Sequence, residues 1–200
     1  MRCVLMIAAL APLFAASAEA ADAPAPAQSL ATCAAITADA QRLQCYDNLA
    51  KAQAAPGAEA GWKLYTATNP VDDSKTVALQ LAASNQQSRF GEPILLTLRC
   101  AARKTAAYIE WRSFLGEMNA TMTVRFGNEK AVTQNWGLSA DKTAAFAPGD
   151  ATAFIRHLAK VDQLVAQTTP YSQGPVTAIF KTAGLAAAAA PLAQNCGWKM

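Results

Sequence analysis

The sequence predicts an α+β fold: mainly an antiparallel β-sheet domain of sandwich-like form with two packed helices, preceded by a small disulfide-closed helical module. Three observations point there. Residues 62–148 form a succession of short runs in which apolar and polar residues alternate, broken by turn residues. Two later segments, opening at Gly149-Asp150 and at Ala183, have helical spacing instead. Of the 5 cysteines, all but Cys3 follow an export-type leader, and they divide between a short early segment and the β-rich part.

The leader occupies residues 1–20. Arg2 gives the charged start, residues 4–14 are apolar, and Ala18-Glu19-Ala20 matches a small-x-small cleavage site. This predicts an exported, periplasmic protein with no stable membrane span, because the apolar run is too short to cross a bilayer. Residues 21–31, rich in Pro and Ala, read as an extended linker.

Residues 32–55 read as the helical module. Thr37 is placed to cap a helix over 38–53, and Leu43, Tyr46, Leu49 and Ala50 recur at helical intervals to give it one apolar face. Arg42 and Asp47 read as surface or cap residues. So small a unit cannot hold together by burial alone. Four mature cysteines allow three pairings. Cys33–Cys45 and Cys100–Cys196 are favoured because each pair shares one segment. The rival, a zinc site, lacks CxxC spacing and accompanying histidines, so no metal or other cofactor is expected. Residues 56–61, around Pro56-Gly57, form a second linker, and 62–200 the β-rich domain.

Within that domain, strands are predicted over 62–68, 76–83, 94–102, 106–115, 121–126, 131–139, 162–169 and 176–180. Ile94, Leu96, Leu98 and Cys100 share one side of their strand, which puts Cys100 on the core face. Gly127-Asn128 reads as a hairpin turn. If neighbouring strands align, Arg99, Glu110, Arg112 and Arg125 fall on one outer face. That face is either a solvated set of cross-strand ion pairs or a docking patch for an acidic partner. Asp150 is placed to cap a helix reaching about residue 160, with His157 on its surface. In the final helix, over 183–195, Pro191 requires either a kink or a new turn beginning there.

The sequence excludes several function classes. A net charge of +3 without a Lys/Arg block is weak for nucleic-acid binding. One histidine leaves no obvious Ser-His-Asp set and no two-histidine metal motif, and neither a P-loop nor a Rossmann glycine pattern occurs. No catalytic residue is therefore nominated.

The ordered motifs do resemble a family. Cys33-x-x-Ile36 followed by Arg42-Leu43-x-Cys45-Tyr46-Asp47 is similar to the N-terminal signature of the type VI secretion system-associated VasI/TagO family. Trp62, Arg99-Cys100, Tyr108-Ile109-x-Trp111, Val124-x-Phe126, Trp136, Pro170-Tyr171, Thr177-Ala178-x-Phe180, Gly184-Leu185 and Cys196-x-Trp198 follow in order. Lys181 departs from the acidic residue expected after the phenylalanine. The resemblance implies a non-catalytic envelope accessory protein of a contractile delivery machine. Its expected partner is a component of that machine or peptidoglycan, with Arg99, Glu110, Arg112 and Arg125 as the candidate surface. Two readings from other classes stand beside it: a cell-wall hydrolase, which would turn over peptidoglycan, and a periplasmic toxin inhibitor or immunity protein, which would protect cells lacking the machine.

Overall fold

The structure is a computed structural model that describes residues 30–53 and 61–200. The expected leader, and the expected linkers apart from residues 30, 31 and 61, lie outside the described residues. The chain divides into two compact units, Met1–Ala52 and Gln53–Met200.

In the first unit, helices α1 (Leu30–Ala34) and α2 (Asp39–Gln53) are joined by the Cys33–Cys45 disulfide, twelve residues apart. Cys33, Cys45 and Leu49 are buried, with Ile36 and Tyr46 packed against them. Arg42 straps the connecting turn. It donates to the Ile36 carbonyl at 3.2 Å and pairs with the Asp39 carboxylate. The inner stripe of α2 is thus Arg42, Cys45, Tyr46 and Leu49. Leu43, expected on the apolar face, is 62% exposed because the disulfide turns Cys45 inward in its place. The helix begins at Asp39, too late for Thr37 to cap it, and α1 was not foreseen.

The second unit is built on nine antiparallel strands: β1 (Lys63–Thr68), β2 (Lys75–Gln87), β3 (Pro93–Ala101), β4 (Lys104–Glu110), β5 (Asn119–Phe126), β6 (Val132–Leu138), β7 (Ala144–Phe146), β8 (Gln163–Thr168) and β9 (Val176–Lys181). Their order across the sheet is β1-β2-β3-β4-β7-β6-β5-β8-β9. The sandwich-like form comes from one continuous sheet that curls back, not from two separate sheets. At the end of β2, Asn85 Nδ2 donates to the Thr177 carbonyl (2.9 Å), and its Oδ1 accepts from Ile179 N (2.7 Å), so β2 approaches the far edge strand β9.

Strand β7 is a second element the sequence hid. Its three residues pair with β4 on one side, and Ala145 and Phe146 pair with β6 on the other, so β7 joins the two halves of the sheet. Asp141 forms the turn that delivers it, accepting from the Ser139 and Thr143 hydroxyls and the Thr143 amide. Strand β4 ends at Glu110, earlier than expected, because Arg112 takes a left-handed backbone (φ 54°).

Alternation fills the interior. Trp62, Trp111, Trp136 and Phe180 are fully buried there with Leu79, Ile94, Leu96, Leu98 and Ile109. Helix α3 (Ala151–Leu158) starts at Asp150, whose carboxylate accepts from Thr152 N at 2.8 Å, and it buries Ile155 and Leu158. His157 stays on the surface, 2.8 Å from Glu129 and stacked on Phe126. At the C-terminal end, α4 (Leu185–Ala188) gives way to α5 (Ala190–Cys196), and Pro191 lies in the first turn of α5. Cys196 then reaches Cys100, fully buried on β3, across 96 residues. Trp198 Nε1 donates to Thr105 Oγ1 (2.8 Å), and Trp62 Nε1 to the Ala183 carbonyl (3.1 Å). Among the described residues, no helix is long and apolar enough to cross a membrane.

Candidate functional site

On the outer face of β2, β3, β4 and β7, register decides which side chains meet. Gln80 lies opposite Thr97, Thr97 opposite Tyr108, and Tyr108 opposite Phe146. These residues form one row across four strands, since side chains on paired positions share a face. Glu110, one pleat along β4 from Tyr108, is the hub of the row. It accepts from Thr97 Oγ1 at 2.7 Å and from Gln80 Nε2 at 3.2 Å. Arg112 pairs with it at 2.7 Å, and the left-handed backbone at Arg112 places this residue just past the strand end. The network covers Thr97 so well that it is only 1% exposed although it faces outward.

Arg99 lies over the Tyr108 ring, 5.7 Å from its centroid, and Tyr108 packs on Phe146 at 4.7 Å. Burial holds the Tyr108 hydroxyl above its ordinary pKa; Arg99 and Arg112 pull it down less, and Glu110 pushes it up. Of the three charged residues here, Arg112 and Glu110 neutralise one another. Arg99 has no carboxylate partner among the described residues. The cluster therefore presents one unpaired cation beside a half-buried phenol, flanked by an ion pair.

Three of the four residues nominated from the sequence are brought together: Arg99, Glu110 and Arg112. Arg125 also points outward, but from β5, with β7 and β6 between it and β4. At about 4.8 Å per strand that is roughly 14 Å along the sheet, so Arg125 stands apart from the cluster. Gln80, Thr97, Tyr108 and Phe146 were not nominated. Their role depends on register, which the sequence could have suggested only through the Tyr108 and Thr97 positions on neighbouring outward faces. No group of three or more His, Cys, Asp or Glu that could hold a metal occurs among the described residues.

The family described as type VI secretion system VasI, EvfG matches residues 32–198. The chain belongs to this family. The VasI match makes it a type VI secretion system-associated protein. No curated protein matches it. Among solved structures, invasion associated protein b from Bartonella henselae is similar, with a TM-score of 0.48 and 10% identity over 67% of this chain and 92% of that one. In this VasI chain, most residues that carry the resemblance hold the fold. Trp62, Trp111, Trp136 and Phe180 are core, and the four cysteines form the two bridges. Arg99, Tyr108 and Tyr171 are among the outward-facing exceptions, and Tyr171 is 67% exposed.

Proposed function

We propose that this chain is a periplasmic, non-catalytic accessory protein that docks a component of its type VI secretion machine, or the peptidoglycan beside it. The outer face of β2–β4 is the docking surface. The type VI association rests on the family match over 32–198. The surface rests on one observation: Arg99, without a carboxylate partner among the described residues, is held over Tyr108 beside the fixed Glu110–Arg112 pair. A preset cation next to an aromatic ring suits an acidic or polar partner and limits the ordering cost of binding. Two disulfides in a chain with an export-type leader suit an oxidising compartment.

The test is capture of partners from cells by the wild-type chain, Arg99→Glu and Arg125→Glu, with secretion measured in parallel. Arg99→Glu should lose both capture and secretion with an unchanged fold, and Arg125→Glu should retain both. Unaltered capture and secretion by Arg99→Glu would remove this surface. Turnover of purified peptidoglycan, or protection of machine-less cells from a toxin, would replace the docking reading with the hydrolase or the inhibitor.

A further inference from the structure

A second site adjoins the arginine cluster at Arg112, where three backbone irregularities converge. The β2–β3 pairing is interrupted between Ala82 and Gln87, which releases residues 83–86 from regular register just before Ser88. The chain beyond β4 turns through the left-handed Arg112 into Ser113, and the loop before β9 turns through Ser172 (φ 56°) into Gln173. Non-glycine residues in this region cost energy and gather where a loop is held for binding. The two loops are tied together. Tyr171 N donates to the Phe114 carbonyl at 2.9 Å, and the two rings meet edge to face at 5.8 Å.

Between these segments is a cleft of about 190 Å³. Its apolar wall is Ile94, Trp111, Pro170 and Val176, and its polar wall includes Ser88, Arg89, Ser113 and Gln173. The polar wall is rich in donors. Ser88 Oγ already accepts from the amides of Phe90 (3.2 Å) and Glu92 (3.3 Å), which leaves its proton to give. Ser113 is buried, and no bond of its hydroxyl is seen among the described residues. The Trp111 indole N–H is buried without a partner. Arg89 is the one charged residue lining the cleft among those described. It rests on the Phe90 ring at 5.0 Å and has no carboxylate partner there.

We propose that this cleft binds the free carboxylate end of a short peptide. Arg89 is the anion partner, Ser88, Ser113 and Gln173 are donors, and the half-buried Val176 packs against a small side chain. Arginine suits a carboxylate because its fork of N–H groups matches the two oxygens. The volume is below the roughly 300 Å³ of a pocket that encloses a whole small molecule. The cleft therefore takes the end of a longer ligand. Two sources offer such an end: the C-terminus of a protein, built of L-residues, and the D-residue end of a cell-wall stem peptide.

The experiment is an NMR titration of the oxidised full chain, followed through the Trp111 indole and the Ser113 and Gln173 amides. The probes are N-acetyl-Ala-Ala as the free acid and as the amide, each in L,L and D,D form. The expected result is a saturable shift with the acid of one hand, binding about tenfold or more weaker for its amide, and a similar loss in Arg89→Gln. Preference for the D,D acid assigns the ligand to the cell wall, and preference for the L,L acid assigns it to a protein tail. The proposal is overturned by the absence of a saturable shift up to about 20 mM, by equal binding of acid and amide, or by undiminished binding to Arg89→Gln.

Discussion

Replacing both Cys100 and Cys196 by alanine should cost the β-rich unit a large part of its stability. The bridge joins β3 to α5 across 96 residues of chain. In the chain-entropy treatment, a closed loop of that size removes about 4.7 kcal/mol of disorder from the unfolded state. Domains of this kind are stable by roughly 5–15 kcal/mol, so the double variant retains a fold only if burial alone leaves a surplus. For a unit of this size, each kcal/mol moves the melting temperature by about 2–4 °C, which predicts a fall of roughly 10–20 °C. The denaturant slope should rise as well, because the uncrosslinked chain exposes more surface on unfolding. Guanidinium titration by tryptophan fluorescence measures both, since Trp62, Trp111, Trp136 and Trp198 all lie in this unit. A loss below about 1 kcal/mol with an unchanged slope would contradict the tie between β3 and α5.

The outer face gives further tests. Glu110→Gln removes the charge that holds Arg112 and accepts from Thr97 and Gln80; it should destabilise by about 1–3 kcal/mol in chemical denaturation. Because burial raises its pKa, Tyr108 should ionise above the ordinary tyrosine value in an ultraviolet pH titration, and Tyr108→Phe should lack that late phase. The sign of the linked stability follows. Tyrosine in the unfolded chain loses its proton near its ordinary 10.0, while folded Tyr108 keeps it, so this contribution is whole below that pH and is lost as pH rises through the folded value. Asp150→Ala should remove the cap of α3 and cost about 1 kcal/mol, read from the same denaturation curves.

Alternation was the most readable signal. It placed Cys100 inward and Arg99 outward on β3 because a strand has a period of two and the core is apolar. A shared segment favoured each disulfide: Cys33 and Cys45 lie in the short helical module, Cys100 and Cys196 in the β-rich unit. Strand β7 escaped because Ala144–Phe146 is too short for alternation to register, and its place between β4 and β6 is set by tertiary pairing. Leu43 misled because helical spacing alone cannot distinguish its stripe from the adjacent one through Cys45, and the covalent bridge decides between them. The candidate surface was half readable. Facing direction follows from each strand by itself, whereas neighbourhood follows from strand order. Arg125 therefore had the right direction and the wrong address. The Ser88–Trp111–Ser113 cleft was beyond sequence reading, since a register shift and two left-handed residues, Arg112 and Ser172, create it.

The most direct test of the docking account is site-specific photo-crosslinking in secreting cells. One probe replaces Ala106, which lies opposite Arg99 on the outer face, and a second replaces the exposed Thr133 on β6, beyond β7 from β4. The account predicts that the Ala106 probe yields a defined adduct with a secretion-machine protein or a peptidoglycan fragment, lost when Arg99→Glu is added, and that the Thr133 probe yields none. An adduct from Thr133 alone, or the same Ala106 adduct with Arg99→Glu in place, would contradict it.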